Sequence, residues 1–223
     1  MTAFPSPNFG ERRGGVVPSL IVVHYTAMTS AALARERLCS QAFEVSAHWL
    51  IAEDGRAEAL VDEAQRAWHA GAGEWAGTGD VNSRSIGIEL ANSGLQPFPE
   101  AQMAGLERVL VAVMDRWRIL PQNVIAHSDM APARKTDPGA KFDWRRLALQ
   151  KLSVWPDPQA ADPVVFFPAV RRFGYPDAPP ETLLRAFRLR FRPWARGPLD
   201  AVDAGMALSL AERFGVDRGL AGA

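Results

Sequence analysis

The sequence predicts an α/β fold in which helices flank a mixed central β-sheet, followed by a small domain of three helices. Two observations support this prediction. Short apolar runs rich in β-branched residues alternate with helical patterns up to about residue 155. Beyond a stretch rich in proline, only helical patterns follow. We therefore expect a first domain at residues 1–155, a linker at 156–162 and a helical domain at 163–223.

The first half of the α/β domain contains three strand signals and one helix signal. The run "SLIVVHYTA" is short, apolar and β-branched, which is typical of a buried central strand. Thr29 or Ser30 can cap a helix over "AALARERLCSQAF". The segment "VSAHWLIAEDGRAEALV" predicts two strands, because the pair Asp54-Gly55 at its centre is a strong hairpin signal.

The second half begins with residues 67–84, which are rich in glycine and tryptophan and predict an irregular loop. "SIGIELAN" predicts another buried strand, and Pro99 and Glu100 open a long amphipathic helix. "NVIAHSD" predicts a further strand, and a helix at about 144–151 closes the domain. The helical patterns of the second domain lie at about residues 164–173, 181–191 and 200–214.

The composition argues against several classes of protein. Twenty-five basic residues balance twenty-five acidic ones, so no overall field attracts nucleic acid or an anionic membrane. No apolar run approaches the ~18 residues of a membrane span. Cys39 is the only cysteine, which excludes a disulfide framework and a thiolate zinc cluster. The N-terminus has no secretory-signal pattern, so we expect a cytoplasmic protein, or a periplasmic one if the N-terminus is truncated.

In one basic segment, "RAFRLRFRPWAR", arginines alternate with aromatic residues, as in some single-strand binders. On a helix, Leu184, Phe187 and Phe191 would share a core face and leave the arginines solvated. We therefore expect no nucleic-acid function.

Two of the four histidines, His24 and His127, lie at the ends of predicted strands, where open α/β sheets place ligands. Asp137 follows ten residues after His127. Two imidazoles and one carboxylate are the ligand composition of a catalytic zinc site, which keeps a fourth position open. Glu89, among apolar neighbours in its strand, is the candidate proton acceptor, and Lys135 the candidate to stabilise an oxyanion.

Each of these residues also has an ordinary structural interpretation. The two histidines could be core residues at strand ends, and Glu89 could pair with Arg84. Lys135 could be solvated, and Asp137-Pro138-Gly139 could be a simple turn. Spacing alone does not decide between a metal site and these alternatives.

Five segments, in order, resemble the zinc-dependent N-acetylmuramoyl-L-alanine amidases of the AmpD/AmiD type, relatives of the peptidoglycan recognition proteins. They are "IVVHYTA", "VSAHWLI", "RAWHAG", "NSRSIGIELAN" and "AHSDMAPARKTDPGAKFDW". The resemblance covers about residues 19–155. A shorter stretch, "RRFGYPDAPPETLLRAFRLRFRPW", resembles the helical, peptidoglycan-binding-like module that follows the catalytic domain in AmiD-type members.

The resemblance implies one Zn²⁺ per chain, held by His24, His127 and Asp137. It implies that Glu89 is the general base and later the acid toward the leaving amine, and that Lys135 stabilises the tetrahedral intermediate. The implied substrate is a muropeptide, expected in its 1,6-anhydro form, cut between the lactyl group and L-alanine. The alternative is a module that recognises peptidoglycan fragments without cutting them. A module of that kind is expected to lack at least one of the metal ligands or the general base Glu89, and this sequence contains all of them.

Further residues are expected near the substrate. His69 lies in the loop rich in glycine and tryptophan and can line the groove or hydrogen-bond a metal ligand. Trp75 can form a groove wall or belong to the core. His48 alternates with apolar residues in its strand and is expected to be structural. The expected substrate contacts are Trp68, His69, Asn82 and Arg134.

Overall fold

The structure, a computed structural model, describes residues 4–216. In chain order its strands are β1 (Phe9–Gly10), β2 (Leu20–Tyr25), β3 (Trp49–Ile51), β4 (Ala57–Ala59), β5 (Arg66–Ala67), β6 (Ser85–Leu90) and β7 (Val124–Ala126). Its helices are α1 (Ala31–Leu38), α2 (Val81–Arg84), α3 (Glu100–Trp117), α4 (His127–Met130), α5 (Trp144–Leu149), α6 (Phe166–Phe173), α7 (Pro180–Phe191) and α8 (Ala201–Phe214).

The central sheet has five strands in the spatial order β4-β3-β6-β2-β7. Strand β2 runs parallel to both β6 and β7, β3 runs parallel to β6, and only β4 is antiparallel to its neighbour. The prediction of a mixed sheet flanked by helices is therefore confirmed. A small antiparallel pair, β1 with β5, was not predicted, since two-residue strands have no periodic sequence signal.

Helix α1 is shorter than the sequence predicts. Ser30 caps it, and its hydroxyl oxygen accepts a hydrogen bond from the Leu33 amide. The helix ends at Leu38, and a short 3₁₀ turn at Gln41–Phe43 replaces the expected last turn. The buried face of α1 stops at Leu38, and the residues of the 3₁₀ turn are largely exposed, so no apolar contact continues the helix.

Helix α3 covers one face of the sheet, as its amphipathic pattern predicts. Met103, Leu106, Leu110 and Val113 are buried in a cluster that includes alternate residues of β2. Gln102 is also buried, and its amide group donates to backbone carbonyls at the ends of β3 and β6. These hydrogen bonds fix the helix relative to the strands that reach the site.

The three C-terminal helices cover the other face. Leu20 and Val22 of β2 share an apolar cluster with residues such as Phe166, Phe187 and Leu210 of α6, α7 and α8. The three helices lie where the sequence predicts them. Because their core is continuous with that of the sheet, the division into domains at residues 155 and 163 stays a prediction.

The expectation that the arginines of α7 are solvated is wrong for two of them. Arg188 is 8% exposed and pairs with Asp203, and Arg190 is 1% exposed and pairs with Asp129. Helix α7 has neighbours on both sides, so the simple division into a core face and a solvent face does not apply. Among residues 4–216, no helix combines the length and apolar character needed to cross a membrane.

Candidate metal centre and active site

The register of the parallel strands brings the predicted site residues to one edge of the sheet. His24 of β2 lies directly opposite Glu89 of β6. Val23 lies opposite Ala126 of β7, so His127, the next residue, is level with His24. Residues in register on parallel strands project to the same face of the sheet. The fold therefore turns three positions far apart in sequence into neighbours.

His24, His127 and Asp137 form a group whose donor atoms all lie within 4.8 Å of one another. The two Nδ1 atoms are 2.8 Å apart, and each is 3.0 Å from Oδ2 of Asp137. The structure thus brings together the three residues predicted as metal ligands.

A chain of hydrogen bonds determines which nitrogen of His24 faces this group. The Ser85 hydroxyl donates to the Val81 carbonyl at 2.6 Å, so its oxygen is available to accept from Nε2 of His69 at 3.1 Å. Nδ1 of His69 is then an acceptor for Nε2 of His24, 3.0 Å away. This network assigns the His24 proton to Nε2 and leaves the Nδ1 lone pair unprotonated.

His127 is oriented in the same way by the backbone. Its Nε2 lies 2.9 Å from the Ala70 carbonyl oxygen, which can only accept a hydrogen bond. The proton is therefore on Nε2, and Nδ1 carries an unprotonated lone pair. The Nδ1 atoms of His24 and His127 and a carboxylate oxygen of Asp137 consequently face one point. Three lone pairs at such distances repel one another unless a cation lies between them.

The donor set fits zinc. Two imidazole nitrogens and one carboxylate oxygen suit a catalytic zinc with an open fourth position. Burial, and then the neighbouring His127, lowers the pKa of His24 to about 4. Burial opposes ionisation of the Asp137 carboxyl group, but its polar contacts with the His127 and His24 rings outweigh burial, and its pKa lies below the ordinary value. Near neutral pH both groups are in the deprotonated forms that bind a metal.

Glu89 forms part of the wall of the same cavity. Its Oε2 atom is buried and has no hydrogen-bond partner. Burial and the nearby Asp137 carboxylate raise its pKa to about 8, although Lys135 acts in the opposite direction. The alternative interpretation, an ion pair with Arg84, is not what the structure shows, since that guanidinium donates to backbone carbonyls instead.

The cavity has a volume of about 390 Å³, within the ~300–1,000 Å³ usual for small-ligand sites. Its walls include the three candidate ligands and most of the other predicted site residues: Glu89, Lys135, Trp68, His69 and Arg134. Arg134 also donates to the carbonyls of Ala70 and Ala72, at 2.7 and 2.5 Å, and so holds the loop that contacts His127.

Three other residues have mainly structural contacts. Asn82 is not part of the cavity wall, and its amide oxygen accepts from the backbone N–H groups of His69 and Ala70. Trp75 is 2% exposed in the core. His48 is buried, accepts from Gly87 through Nδ1, and has a pKa lowered to about 4 by burial. These contacts agree with the core interpretations of Trp75 and His48.

Sequence analysis missed two positions beside His69. The Ser85 hydroxyl oxygen accepts a hydrogen bond from His69, and no local sequence pattern distinguishes this serine from any other. Gly87 does have a signal, because a glycine inside a strand often marks a close approach. A Cβ atom at Gly87 would lie 2.4 Å from the His69 ring, so the ring occupies the space that a side chain would need.

The amino-acid sequence matches a known protein family and two characterised relatives. The family model described as N-acetylmuramoyl-L-alanine amidase matches residues 14–140. The chain belongs to the N-acetylmuramoyl-L-alanine amidase family. This amidase is 34% identical to N-acetylmuramoyl-L-alanine amidase AmiD of Escherichia coli (strain K12), over 89% of this chain and 84% of AmiD. It is 36% identical to 1,6-anhydro-N-acetylmuramyl-L-alanine amidase AmpD of the same strain, over 65% of this chain and 88% of AmpD.

The amidase also resembles a solved structure over nearly its whole length. A complex of AmiD from E. coli with anhydro-N-acetylmuramic acid-L-Ala-D-gamma-Glu-L-Lys superposes with a TM-score of 0.81 at 32% identity. The match covers 93% of this chain and 98% of the AmiD chain, so it includes helices beyond the α/β part. The family is in general zinc-dependent, and the group of His24, His127 and Asp137 offers this amidase a place for such an ion.

Proposed function

We propose that this amidase hydrolyses the bond between the lactyl group of N-acetylmuramic acid and L-alanine of the stem peptide, using one Zn²⁺. We further propose 1,6-anhydro-muropeptides as its substrates. One observation carries the proposal: three lone pairs from His24, His127 and Asp137 face one point, beside the carboxyl group of Glu89, whose buried Oε2 atom has no hydrogen-bond partner.

His24, His127 and Asp137 would hold the ion, which when bound lowers the pKa of water and polarises a carbonyl oxygen. In the proposed reaction Glu89 accepts the proton of the attacking water as its oxygen bonds to the lactyl carbonyl carbon. Lys135 lies at the same cavity and offers a positive charge to the oxyanion. Glu89 then gives the proton to the leaving amine as the C–N bond breaks, which yields a lactyl carboxyl group and a stem peptide with a free amino group on its L-alanine.

Glu89 suits this role because of its environment. A carboxyl group without a hydrogen-bond partner can exchange a proton with substrate without first losing another contact. A raised pKa also brings its proton affinity toward the operating pH, where general acid–base catalysis is most efficient. No comparable environment surrounds Glu58 or Glu63, which are paired with arginines.

The substrate class rests on the relatives. AmiD has been solved with an anhydro-muramoyl tripeptide, and AmpD carries the 1,6-anhydro-muramyl substrate in its name. Trp68 and Arg134 line the cavity and are the proposed substrate contacts there, together with His69. For Asn82 we propose an indirect role, since its amide oxygen holds the backbone of His69.

The test uses the purified chain of residues 1–223 and a 1,6-anhydro-muramoyl tripeptide, with products identified by mass spectrometry. We expect release of a peptide that begins with L-alanine, loss of release on chelation, and recovery when zinc is added. Glu89→Gln should lower kcat by about 10²–10⁴-fold while zinc remains bound. Glu36→Gln, an exposed carboxylate of α1, is the matched control and should behave like the natural chain.

Two outcomes would contradict the proposal. Hydrolysis that continues after chelation would exclude a zinc-dependent reaction. Tight binding of the tripeptide with zinc present but no cleavage would favour the alternative, a module that recognises peptidoglycan fragments.

Two expectations from the sequence stay predictions and have their own tests. Location in the cytoplasm is tested by fractionating cells and probing each fraction for the chain. A peptidoglycan-binding role for residues 163–223 is tested by comparing intact peptidoglycan with the soluble tripeptide as ligands of the full chain.

A further inference from the structure

A buried acidic side chain lies beside the metal-site histidine and is held by residues from the C-terminal part of the chain. Asp129, two residues after His127, is fully buried. Its Oδ1 atom accepts from the Tyr175 hydroxyl at 2.6 Å. Its Oδ2 atom accepts from the Ala126 amide at 2.8 Å and from the guanidinium of Arg190. All three donors hold the one-turn helix α4, which begins with His127.

Arg190 connects several parts of the fold. Besides Asp129, it donates to the Val124 carbonyl at 3.0 Å and to the Ser153 hydroxyl at 3.1 Å. Its guanidinium lies 4.3 Å from the centre of the Trp144 ring. One side chain of helix α7 is thus bonded to strand β7, to helix α4 and to the segment after helix α5.

Helix α7 also contacts the same segment at a second point. Arg185 donates to the Pro132 carbonyl at 2.9 Å. Within the segment, the Ser128 amide donates to the Asp137 carbonyl at 3.0 Å, which closes the loop from His127 to Asp137. Residues 127–137, hereafter the ligand loop, supply two of the three candidate ligands and Lys135. Its geometry therefore depends on helix α7.

The burial of this ion pair calls for a reason beyond stability. Two charges removed from water are often no more stabilising than a well-packed apolar pair, whereas removing one partner is strongly destabilising. The pair instead fixes the orientation of the aspartate, because a guanidinium holds a carboxylate at a defined angle and distance. Because Asp129 belongs to the same one-turn helix as His127, this contact also fixes the orientation of the turn that carries His127.

We propose that Arg190 is a positioning residue for the metal centre. Through Asp129, it holds the ligand loop so that Nδ1 of His127 faces Nδ1 of His24 and the carboxylate of Asp137. The C-terminal helices are then part of the metal site rather than only a separate binding module. The inference rests on the proposed function in one respect, that His127 is a metal ligand.

The position of Arg190 determines which measurements should change. Neither Arg190 nor Asp129 belongs to the wall of the substrate cavity. Loss of the contact should therefore weaken zinc binding and lower kcat, and leave KM nearly unchanged. Residues that orient metal ligands from outside typically change metal affinity or activity by about 10–100-fold.

The experiment compares Arg190→Met with Arg188→Met in the chain of residues 1–223. Arg188 is a matched control, since it is also a buried arginine of α7 paired with a buried aspartate. Its partners are Asp203 and the carbonyls of Gly197 and Pro198, none of which belongs to the ligand loop. Zinc affinity is measured by competition with a chromogenic chelator, alongside kcat, KM and the thermal midpoint without metal.

We expect both variants to lower the thermal midpoint of the metal-free protein. Only Arg190→Met should weaken zinc binding, by about 10–100-fold, with a parallel fall in kcat and little change in KM. Equal loss of zinc affinity in both variants would overturn the inference, because a general loss of stability would then explain it. Natural zinc affinity in folded Arg190→Met would overturn it as well.

A milder variant decides the matter if Arg190→Met does not fold. Tyr175→Phe removes the hydroxyl that donates to Asp129 and keeps the aromatic ring in the core. It should weaken zinc binding in the same direction by a smaller factor, and unchanged affinity would refute the inference. Zinc affinity also separates this inference from the proposed function: a chain whose zinc affinity depends on Arg190 but that cuts no muropeptide would refute only the latter.

Discussion

Replacing Glu89 by Gln should have opposite effects on catalysis and on the stability of the metal-free protein. Burial beside Asp137 raises the pKa of Glu89 from 4.5 to about 8, so the folded protein keeps this carboxyl group protonated over a range in which the unfolded chain releases the proton. In that range the folded state binds more protons than the unfolded state, and stability falls as pH rises. The contribution is complete below pH 4.5 and is lost by about pH 8.

The size of the effect follows from the two pKa values. Each pKa unit corresponds to about 1.4 kcal/mol, so a rise from 4.5 to about 8 is worth up to about 5 kcal/mol. Glutamine has nearly the same shape and does not titrate. The free energy of unfolding of Glu89→Gln, minus that of the natural chain, should therefore grow by several kcal/mol between pH 5 and pH 8.

The assay is urea unfolding of both proteins after zinc removal, at several pH values from 5 to 9. Taking the difference between the two chains cancels the titration of every group that they share. Zinc should reduce the difference, because a cation near Glu89 favours its ionised form. A difference that stays constant within about 0.5 kcal/mol across this range would refute the argument, since the carboxyl group would then titrate alike in both states.

Three further predictions concern single residues. Asp137→Asn should weaken zinc binding at least as much as the loss of a residue that only orients a metal ligand, about tenfold or more. The affinity is measured by competition with a chelator, and unchanged affinity would exclude this carboxylate as a ligand. Gly87→Ala should displace the ring of His69 and lower zinc affinity and kcat, whereas Gly79→Ala, which meets nothing closer than 3.8 Å, should have no effect on either. His48 is buried with a pKa lowered from 6.5 to about 4, so the natural chain loses stability as pH falls through this range. In His48→Gln the free energy of unfolding, measured with urea, should change less with pH, by up to about 3 kcal/mol over this range. Parallel plots of unfolding free energy against pH for the two proteins would contradict this.

The strands and helices that position the site could be predicted because each depends on local chemistry. The apolar run before His24 and the hairpin pair Asp54-Gly55 act within a few residues. The candidate site at the strand ends was predictable for a related reason. Parallel strands end at one edge of a sheet, so polar residues that follow apolar strands, such as His127, are brought together.

Other features depend on which elements pack together, and no local pattern encodes that. The helical period of α7 correctly predicts that Phe187 and Phe191 are buried, but it suggests that Arg188 and Arg190 are solvated. Their burial follows from acidic partners on two separate elements, α4 and α8. The hydrogen bond from His69 to Ser85 likewise depends on how a loop folds over a strand.

By itself, the sequence determined the kinds of secondary structure, their order, and the chemical types available for a metal site, because these follow from hydrophobic period, turn residues and side-chain chemistry. Only the tertiary structure decided which nitrogen of each histidine faces the site, that Glu89 lacks a partner, and that helix α7 holds the ligand loop. Those features depend on the distance between residues far apart in the chain. Such distances are set by strand register and by the packing of helices on both faces of the sheet.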